Sequence, residues 1–180
     1  MVTCIHLLIF SASNLSILYS NKKQSKQQYL NQLKGNWTVA EIEISYKPII
    51  TDHTVITSSY QAYELIKQLW DKERINLTEQ FCCLFMNTSK KTIGWKLLST
   101  GTIANCVVDI KLLCCLALHC MATHVVIVHN HPSGNLKTSD SDETITKTIK
   151  DALKLIDVQL MDHLIITECG YYSFSDEGLL

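Results

Sequence analysis

Apolar side chains recur along the chain at two spacings, every second residue in some segments and at helical spacing in others. Apolar and polar residues alternate over residues 37–46, which predicts a half-buried strand that ends at Pro48. Ser58 followed three positions later by Gln61 is typical of a helix N-terminus, and apolar residues then recur at helical spacing as far as Trp70. This part of the chain therefore predicts one strand and one amphipathic helix.

A hairpin and a second helix are predicted next. Apolar runs at residues 81–86 and 93–98 flank a polar turn at residues 87–91, which favours two antiparallel neighbouring strands. Residues 110–122 are apolar around nearly the whole circumference of a helix, so we expect this helix to pack deeply against a sheet. Asp109 stands where a carboxylate would cap its N-terminus.

The last part of the chain predicts three strands and one helix. Residues 125–128 have the composition of a buried strand, and residues 145–156 place apolar side chains on one helix face. Strands at residues 160–166 and 171–174 follow, with a turn at Gly170 between them. The sequence thus predicts an α+β domain in which a sheet is flanked by helices.

Charge is unevenly distributed along the chain. Sixteen basic and 17 acidic side chains give a net charge of −1, but residues 1–40 hold four lysines and no acid. The remaining residues therefore carry 12 bases against 17 acids, a net charge of −5, and Arg74 is the only arginine in the sequence. Because arginine supplies most bidentate contacts to phosphate and guanine, this pattern counts against direct nucleic-acid binding.

The eight cysteines do not have the pattern of a disulfide scaffold, since two pairs are adjacent in sequence and no C-x-x-C spacing occurs. No segment reaches the roughly 18 to 20 apolar residues that span a bilayer, so no membrane partner is expected. Most of the cysteines are predicted to be reduced, small core residues, which favours a cytoplasmic protein: Cys82, Cys83, Cys106, Cys114, Cys115 and Cys120.

Two histidines leave the end of the buried strand. His129 and His131 directly follow residues 125–128, where the chain is still extended. Both imidazoles should therefore lie on one face of the strand, and Asn130 on the other. Pro132 prevents the strand from continuing, and the glycine two residues later allows the chain to turn.

Ser139 and Asp142 follow in the first turn of the next predicted helix. Asp142 lies three residues before Ile145, so its carboxylate points along the inward face of that helix and can be aimed back at the histidines. Two imidazoles and one carboxylate form a three-ligand zinc set with the fourth position open, as in catalytic zinc sites. Zinc in such a site lowers the pKa of a bound water to about 7 and polarises a carbonyl oxygen.

Hydrolysis also needs a base for the water and a donor for the oxyanion. Ser139 can supply a hydroxyl donor, and Glu79, just before the strand at residues 81–86, is the best-placed base, with Glu73 as the second choice. The simpler interpretation is that Ser139 and Asp142 only cap the helix and that Glu79 is a solvated acid. His119 and His124 are interpreted as structural residues. Asp162 and His163 are also interpreted as structural, and the alternative for these two is that they support the metal ligands.

These residues carry a resemblance to a known family. The sequence resembles the JAMM motif of the MPN/JAB metalloprotease superfamily. This motif consists of an upstream Glu and a His-x-His pair, followed after seven residues by Ser and after two more by Asp. Within that superfamily, residues 129–134, 162–166 and 172–174 are similar to the RadC branch. The resemblance covers residues 58–180, which we interpret as a JAB/MPN (RadC-like) domain. The preceding residues are interpreted as a poorly defined N-terminal extension and as a lead-in strand and loop, at residues 1–36 and 37–57 respectively.

The resemblance implies a fold, a cofactor and a role for each site residue. The implied fold is the cytidine-deaminase-like JAB/MPN metalloprotease fold, a central, mostly antiparallel sheet with helices on its two sides. The implied zinc ligands are His129, His131 and Asp142. Glu79 is the implied general base, and Ser139 is the implied hydrogen-bond donor to the oxyanion.

Three functions are compatible with this motif. We expect a zinc hydrolase that cleaves a peptide or isopeptide bond in a peptide or protein substrate, because Glu79 and Ser139 are both present. The alternatives are a non-catalytic metal-binding interaction module and a DNA repair or recombination accessory protein of the RadC family. The acidic charge counts against the last, as does the lack of a recognisable helix-hairpin-helix, which longer RadC proteins carry, in residues 1–36.

Overall fold

The computed structural model describes residues 54–101 and 107–180. The strand predicted at residues 37–46 and the extension predicted at residues 1–36 lie outside the described residues, as does Cys106. Within the described ranges, none of the helices has the length and apolar composition needed to cross a membrane.

A five-stranded mixed sheet forms the centre of the described part of the chain. Its strands lie in the order β2-β1-β3-β4-β5. Neighbouring strands are antiparallel except β3 and β4, which are parallel because a helix crosses over between them. This confirms the prediction of an α+β fold with a mostly antiparallel sheet. The strand bounds are β1 (Gln80–Met86), β2 (Thr92–Thr100), β3 (His124–Asn130), β4 (Gln159–Ile166) and β5 (Tyr171–Ser173).

Within residues 54–101 and 107–180, three helices flank the sheet: α1 (Ser59–Leu69), α2 (Ile110–His119) and α3 (Asp140–Lys154). Side chains cap each N-terminus where the sequence predicts it. The Ser58 hydroxyl accepts from the backbone N–H of Gln61, and the Asp109 carboxylate accepts from that of Leu112. Ser139 caps α3, so all three helices begin at the predicted positions.

Each face of the sheet is covered by a different set of helices. On β1, Cys82 and Leu84 point to the core under α1, whereas Phe81 and Cys83 point to the core that α2 and α3 share. The adjacent Cys82 and Cys83 are therefore both fully buried, on opposite faces. Burial raises the pKa of both thiols, which keeps them protonated.

The prediction that α2 packs deeply against the sheet holds for only one of its faces. Only Leu113 and Ala117, one turn apart, are buried, whereas Leu118 is 52% exposed. The reason is that α3 packs into the same core with its own apolar stripe, so α2 contributes only one narrow face to it. Cys115 is on the exposed side of α2 for the same reason, contrary to the prediction that it lies in the core. All six cysteines within the described ranges are free thiols.

Candidate metal centre

The end of β3 places two imidazoles side by side on one face of the sheet. His129 pairs with Phe81 of β1, and the two rings lie nearly parallel with their centroids 6.0 Å apart. The backbone N–H of His131 donates to the carbonyl of Ile166 at 3.0 Å, so pairing with β4 continues one residue beyond β3. This extra pairing keeps His131 extended and on the same face as His129.

The N-terminus of α3 brings the carboxylate. Ser139 and Asp142 form a capping box in which the Ser139 hydroxyl accepts from the Asp142 backbone N–H. The backbone N–H and the hydroxyl of Ser139 both donate to Asp142 Oδ2, at 2.8 and 2.7 Å. The Asp142 side chain is thus held in one orientation before any metal binds.

These elements bring His129, His131 and Asp142 together. One nitrogen or oxygen from each lies within 4.8 Å of the other two, and the two Nε2 atoms are 2.9 Å apart. Asp142 Oδ1 is 3.2 Å from His129 Nε2, and Oδ2 is 3.7 Å from His131 Nε2. Two imidazole nitrogens and a carboxylate suit a divalent transition metal, so this group can hold a metal ion.

Hydrogen bonds and charge in the metal-free protein explain how the three groups approach one another. The Nδ1 of His131 is 2.7 Å from the carbonyl of Asn135, an acceptor, so it carries a proton. The hydrogen bond to Asp142 raises the pKa of His131, which favours a second proton on Nε2. Burial raises the pKa of Asp142, but hydrogen bonds with His129 and His131 outweigh it and hold that pKa well below its usual range. A metal cation would therefore compete with a proton for Nε2 of His131.

His163 is a site residue that sequence reasoning interpreted as structural. Its Nε2 is 2.8 Å from His129 Nδ1, and its Nδ1 is hydrogen-bonded to the Thr146 hydroxyl of α3. Burial lowers the pKa of His163 well below its usual range, so the ring is neutral. Its neighbour Asp162 has the structural role that was predicted, because its carboxylate accepts from Ser173 Oγ. Nothing in the local sequence separates the two residues, since the contact of His163 depends on the pairing of β3 with β4.

Glu79 lies immediately before β1 and lines the same cleft as the three metal-binding residues, a cleft of about 830 Å³. It is half-buried, and this burial raises the pKa of its carboxyl, while His129 and His131 lower it. Glu73, the second choice for a base, is exposed in the preceding turn and is not part of the cleft lining. The position of Glu79 follows from register: Phe81 pairs with His129, so Glu79 shares the face of both histidines.

Asn130, between the two histidines, was predicted to point to the other face, and its side chain is fully buried there. Its oxygen accepts from the backbone N–H of Gln80 at 2.7 Å. Its amide nitrogen donates to the carbonyls of Ile75 and Thr78 at 2.7 and 2.9 Å. These bonds hold the backbone on both sides of Glu79, so Asn130 ties the strand of the histidines to the loop that carries the acid.

The remaining residues that line the cleft differ in character. Val107, Val108 and Ile145 are apolar. The loop between β3 and α3 contributes polar side chains, namely Ser133, Asn135, Lys137 and Thr138. His119 and His124 are outside this lining; His124 Nδ1 contacts Thr123 Oγ1 and the carbonyl of Asn87 at the start of β3.

Comparison with known proteins agrees with this architecture. The family model described as RadC-like JAB domain matches residues 56–179. The chain is 38% identical over 177 residues to a UPF0758 protein of Flavobacterium johnsoniae, covering 96% of this chain and 76% of the relative. A UPF0758 protein of Paracidovorax citrulli is 38% identical over 102 residues, covering 57% of this chain and 43% of the relative. One of Streptococcus suis is 28% identical over 135 residues, covering 75% of this chain and 53% of the relative.

Proposed function

This chain belongs to the RadC-like JAB domain family, and on that basis we propose that it is a zinc-dependent hydrolase of the JAMM type that cleaves peptide or isopeptide bonds. The observation that carries the proposal is the convergence of His129, His131 and Asp142 in one cleft with the half-buried Glu79. Closed structural zinc sites use four protein ligands, whereas three ligands that face a cleft leave a position for water or substrate. The arrangement therefore favours chemistry over a purely structural metal.

Zinc is the metal we propose, because imidazole and carboxylate are its usual ligands in hydrolases. His129 and His131 would bind it through Nε2, and Asp142 through its carboxylate. Zinc held there would lower the pKa of a water molecule and polarise the carbonyl of the scissile bond.

Glu79 is the proposed general base. Its carboxylate would accept a proton from the attacking water and deliver that proton to the leaving nitrogen of the cleaved bond. Half-burial suits this role, because a raised pKa brings a carboxylate closer to the pKa needed for transfer in both directions. The backbone around Glu79 is held by Asn130, which limits where the carboxylate can lie.

Ser139 is the proposed donor to the oxyanion. Its hydroxyl donates to Asp142 Oδ2 at 2.7 Å, so it must turn from that carboxylate to reach a substrate oxygen. Asp142 would remain held during this step, because the backbone N–H of Ser139 donates to the same Oδ2 at 2.8 Å. The two donors of one residue can thus divide the tasks of orienting a ligand and stabilising charge.

A peptide or protein is the proposed substrate class. Both apolar and polar side chains line the cleft, which suits a substrate chain that presents both side chains and amide groups. Lys137 is the one lysine or arginine among the residues found to line it, and Arg74 is paired with Asp71 at 3.3 Å. This charge distribution gives little to attract a phosphate backbone, which argues against nucleic acid as the substrate.

The proposal is tested by metal analysis followed by a cleavage screen. We expect the purified chain to contain about one zinc per molecule and to cleave members of a peptide library. Glu79→Gln should retain zinc and lose cleavage, whereas His131→Ala should lose the metal itself.

Each remaining outcome would contradict the proposal in a different way. Zinc binding without cleavage of any peptide or isopeptide substrate would favour the interaction module. Full activity in Glu79→Gln would remove Glu79 from the role of base. Salt-dependent retention on DNA without peptide cleavage would favour the DNA repair accessory.

A further inference from the structure

A chain of hydrogen bonds runs from the backbone of α3 to the ring of His129. The Thr146 hydroxyl donates to the backbone carbonyl of Asp142, one turn earlier in the helix. The same Thr146 oxygen is hydrogen-bonded to His163 Nδ1, and His163 Nε2 is 2.8 Å from His129 Nδ1. Three buried side chains are thus linked in series from one metal-binding residue to another.

The direction of every bond in this series follows from its first member. A carbonyl oxygen can only accept, so the single hydroxyl proton of Thr146 is used on Asp142. Thr146 must then accept from His163, so Nδ1 of this ring carries a proton, and full burial of the ring favours its neutral form, with no second proton on Nε2. His163 Nε2 is left with a lone pair and accepts from His129 Nδ1. With Nδ1 used in this way, Nε2 is the nitrogen of His129 that faces His131 and Asp142 and would bind a metal once it carries no proton.

We propose that Thr146 and His163 are positioning residues that fix the tautomer of His129, so that its Nε2 is ready to bind a metal. The inference rests on the metal site of the proposed function. According to this proposal, the helix that supplies Asp142 also fixes which nitrogen of His129, on the neighbouring strand, carries the proton. The two residues act through His129 and need not touch the metal or the substrate.

The position of His163 argues for more than packing. Its ring lies between Phe81 and Phe174, with centroids 5.8 and 4.6 Å away, in a place where an apolar ring would pack as well. A buried imidazole is costly unless its nitrogens are hydrogen-bonded, and both nitrogens of His163 are used. A histidine that binds a metal through one ring nitrogen has a second nitrogen that faces away from the metal. A hydrogen-bond partner on this second nitrogen orients the histidine and raises metal affinity.

The first test measures the tautomer directly. In the metal-free protein, ¹⁵N NMR of the histidine rings, assigned by single-histidine substitutions, should show His129 protonated on Nδ1 and His163 protonated on Nδ1. A proton on Nε2 of neutral His129 would overturn the inference, whatever the substitutions below do to folding.

The second test compares Thr146→Val with Thr146→Ser. Valine keeps the branched shape but removes the acceptor, so His163 can move its proton to Nε2 and force His129 into the other tautomer. We expect the zinc affinity of Thr146→Val, measured by chelator competition, to fall about 10- to 100-fold, and Thr146→Ser to retain wild-type affinity and tautomer. Equal affinity in the valine variant and the wild type would overturn the inference while leaving the hydrolase proposal intact.

Failure of the hydrolase proposal would look different. A chain that binds zinc with these tautomers but cleaves nothing would contradict the proposed function and support the positioning role. Melting temperatures of the metal-free variants serve as the folding control.

Discussion

The side-chain oxygen of Asn130 accepts a hydrogen bond from the backbone N–H of Gln80 at 2.7 Å. Asn130 lies between the two histidines on β3, and Gln80 directly follows Glu79 at the start of β1. The bond therefore connects the metal-binding strand with the loop of the proposed base, on the face of the sheet opposite the cleft. The central residue of the His-x-His sequence is the link between the two halves of the candidate site.

Replacing Asn130 should separate catalysis from metal binding. Asn130→Ala would remove one buried and two part-buried hydrogen bonds to the backbone, which we expect to lower the free energy of unfolding by about 3 kcal/mol. Because Glu79 would lose its fixed backbone, cleavage should fall at least tenfold, while zinc affinity should change little. Urea denaturation, zinc competition and peptide cleavage measure the three quantities.

Asn130→Asp is the matched control for this prediction. Aspartate keeps an acceptor for Gln80 but cannot donate to the carbonyls of Ile75 and Thr78. If the two hydrogen bonds that the Asn130 amide donates are what hold Glu79 in place, Asn130→Asp should reduce cleavage as much as Asn130→Ala does. Wild-type cleavage by both variants would show that Glu79 does not depend on Asn130.

The local features of this site could be predicted from the sequence, and the long-range ones could not. His129 and His131 share a face because side chains alternate along a strand, and Asp142 faces inward because of its spacing from Ile145. The contact between His163 and His129, by contrast, depends on the register of β4 against β3, which no local pattern encodes. The sequence likewise does not tell how much of α2 is buried, since that depends on how much of the sheet another helix covers.

The stability of the metal-free protein should depend on pH through His131 and Asp142. The pKa of His131 is raised by its hydrogen bond to Asp142, so its stabilisation is complete below its unfolded pKa of about 6.5 and is lost as the pH rises through the folded value. The pKa of Asp142 is lowered, so its stabilisation is present above about pH 4 and is lost in acid. The contribution of this pair to stability, measured as the melting temperature of the metal-free wild type minus that of Asp142→Asn, should therefore be greatest between about pH 4 and 6.5.

Zinc should reverse the dependence of the melting temperature on pH above about pH 6.5. Binding must displace the proton on His131, so apparent zinc affinity should rise with pH, by up to about tenfold per unit, until the pH passes the raised pKa. Melting curves with and without zinc from pH 5 to 9 measure both trends. Asp142→Asn provides the control, since it should flatten the metal-free profile above pH 6. Zinc affinity that does not change with pH would contradict a raised pKa of His131.

Asp162 should contribute to stability and not to chemistry. Its carboxylate accepts from Ser173 Oγ at 2.6 Å and from the backbone N–H groups of His163 and Ser175. Asp162→Ala would leave these donors without an acceptor, so we expect a loss of about 2 to 4 kcal/mol in urea denaturation. Burial raises the pKa of Asp162 although these donors lower it, so the neutral Asp162→Asn should lose less than alanine. Asparagine costing as much as alanine would contradict this account.

Ser139 offers a way to separate helix capping from catalysis. Its hydroxyl caps α3 and donates to Asp142, and we also propose that it donates to the oxyanion. Ser139→Ala and Ser139→Gly both remove the hydroxyl, but alanine at an N-cap costs about 1 kcal/mol of stability, whereas glycine costs only a few tenths.

If the hydroxyl stabilises the transition state, both variants should lose cleavage equally, by about 100-fold, despite their different unfolding free energies. Both should keep most of their zinc affinity, because the backbone N–H of residue 139 still holds Asp142 Oδ2. Cleavage that follows stability, with glycine close to wild type, would instead assign Ser139 to capping alone.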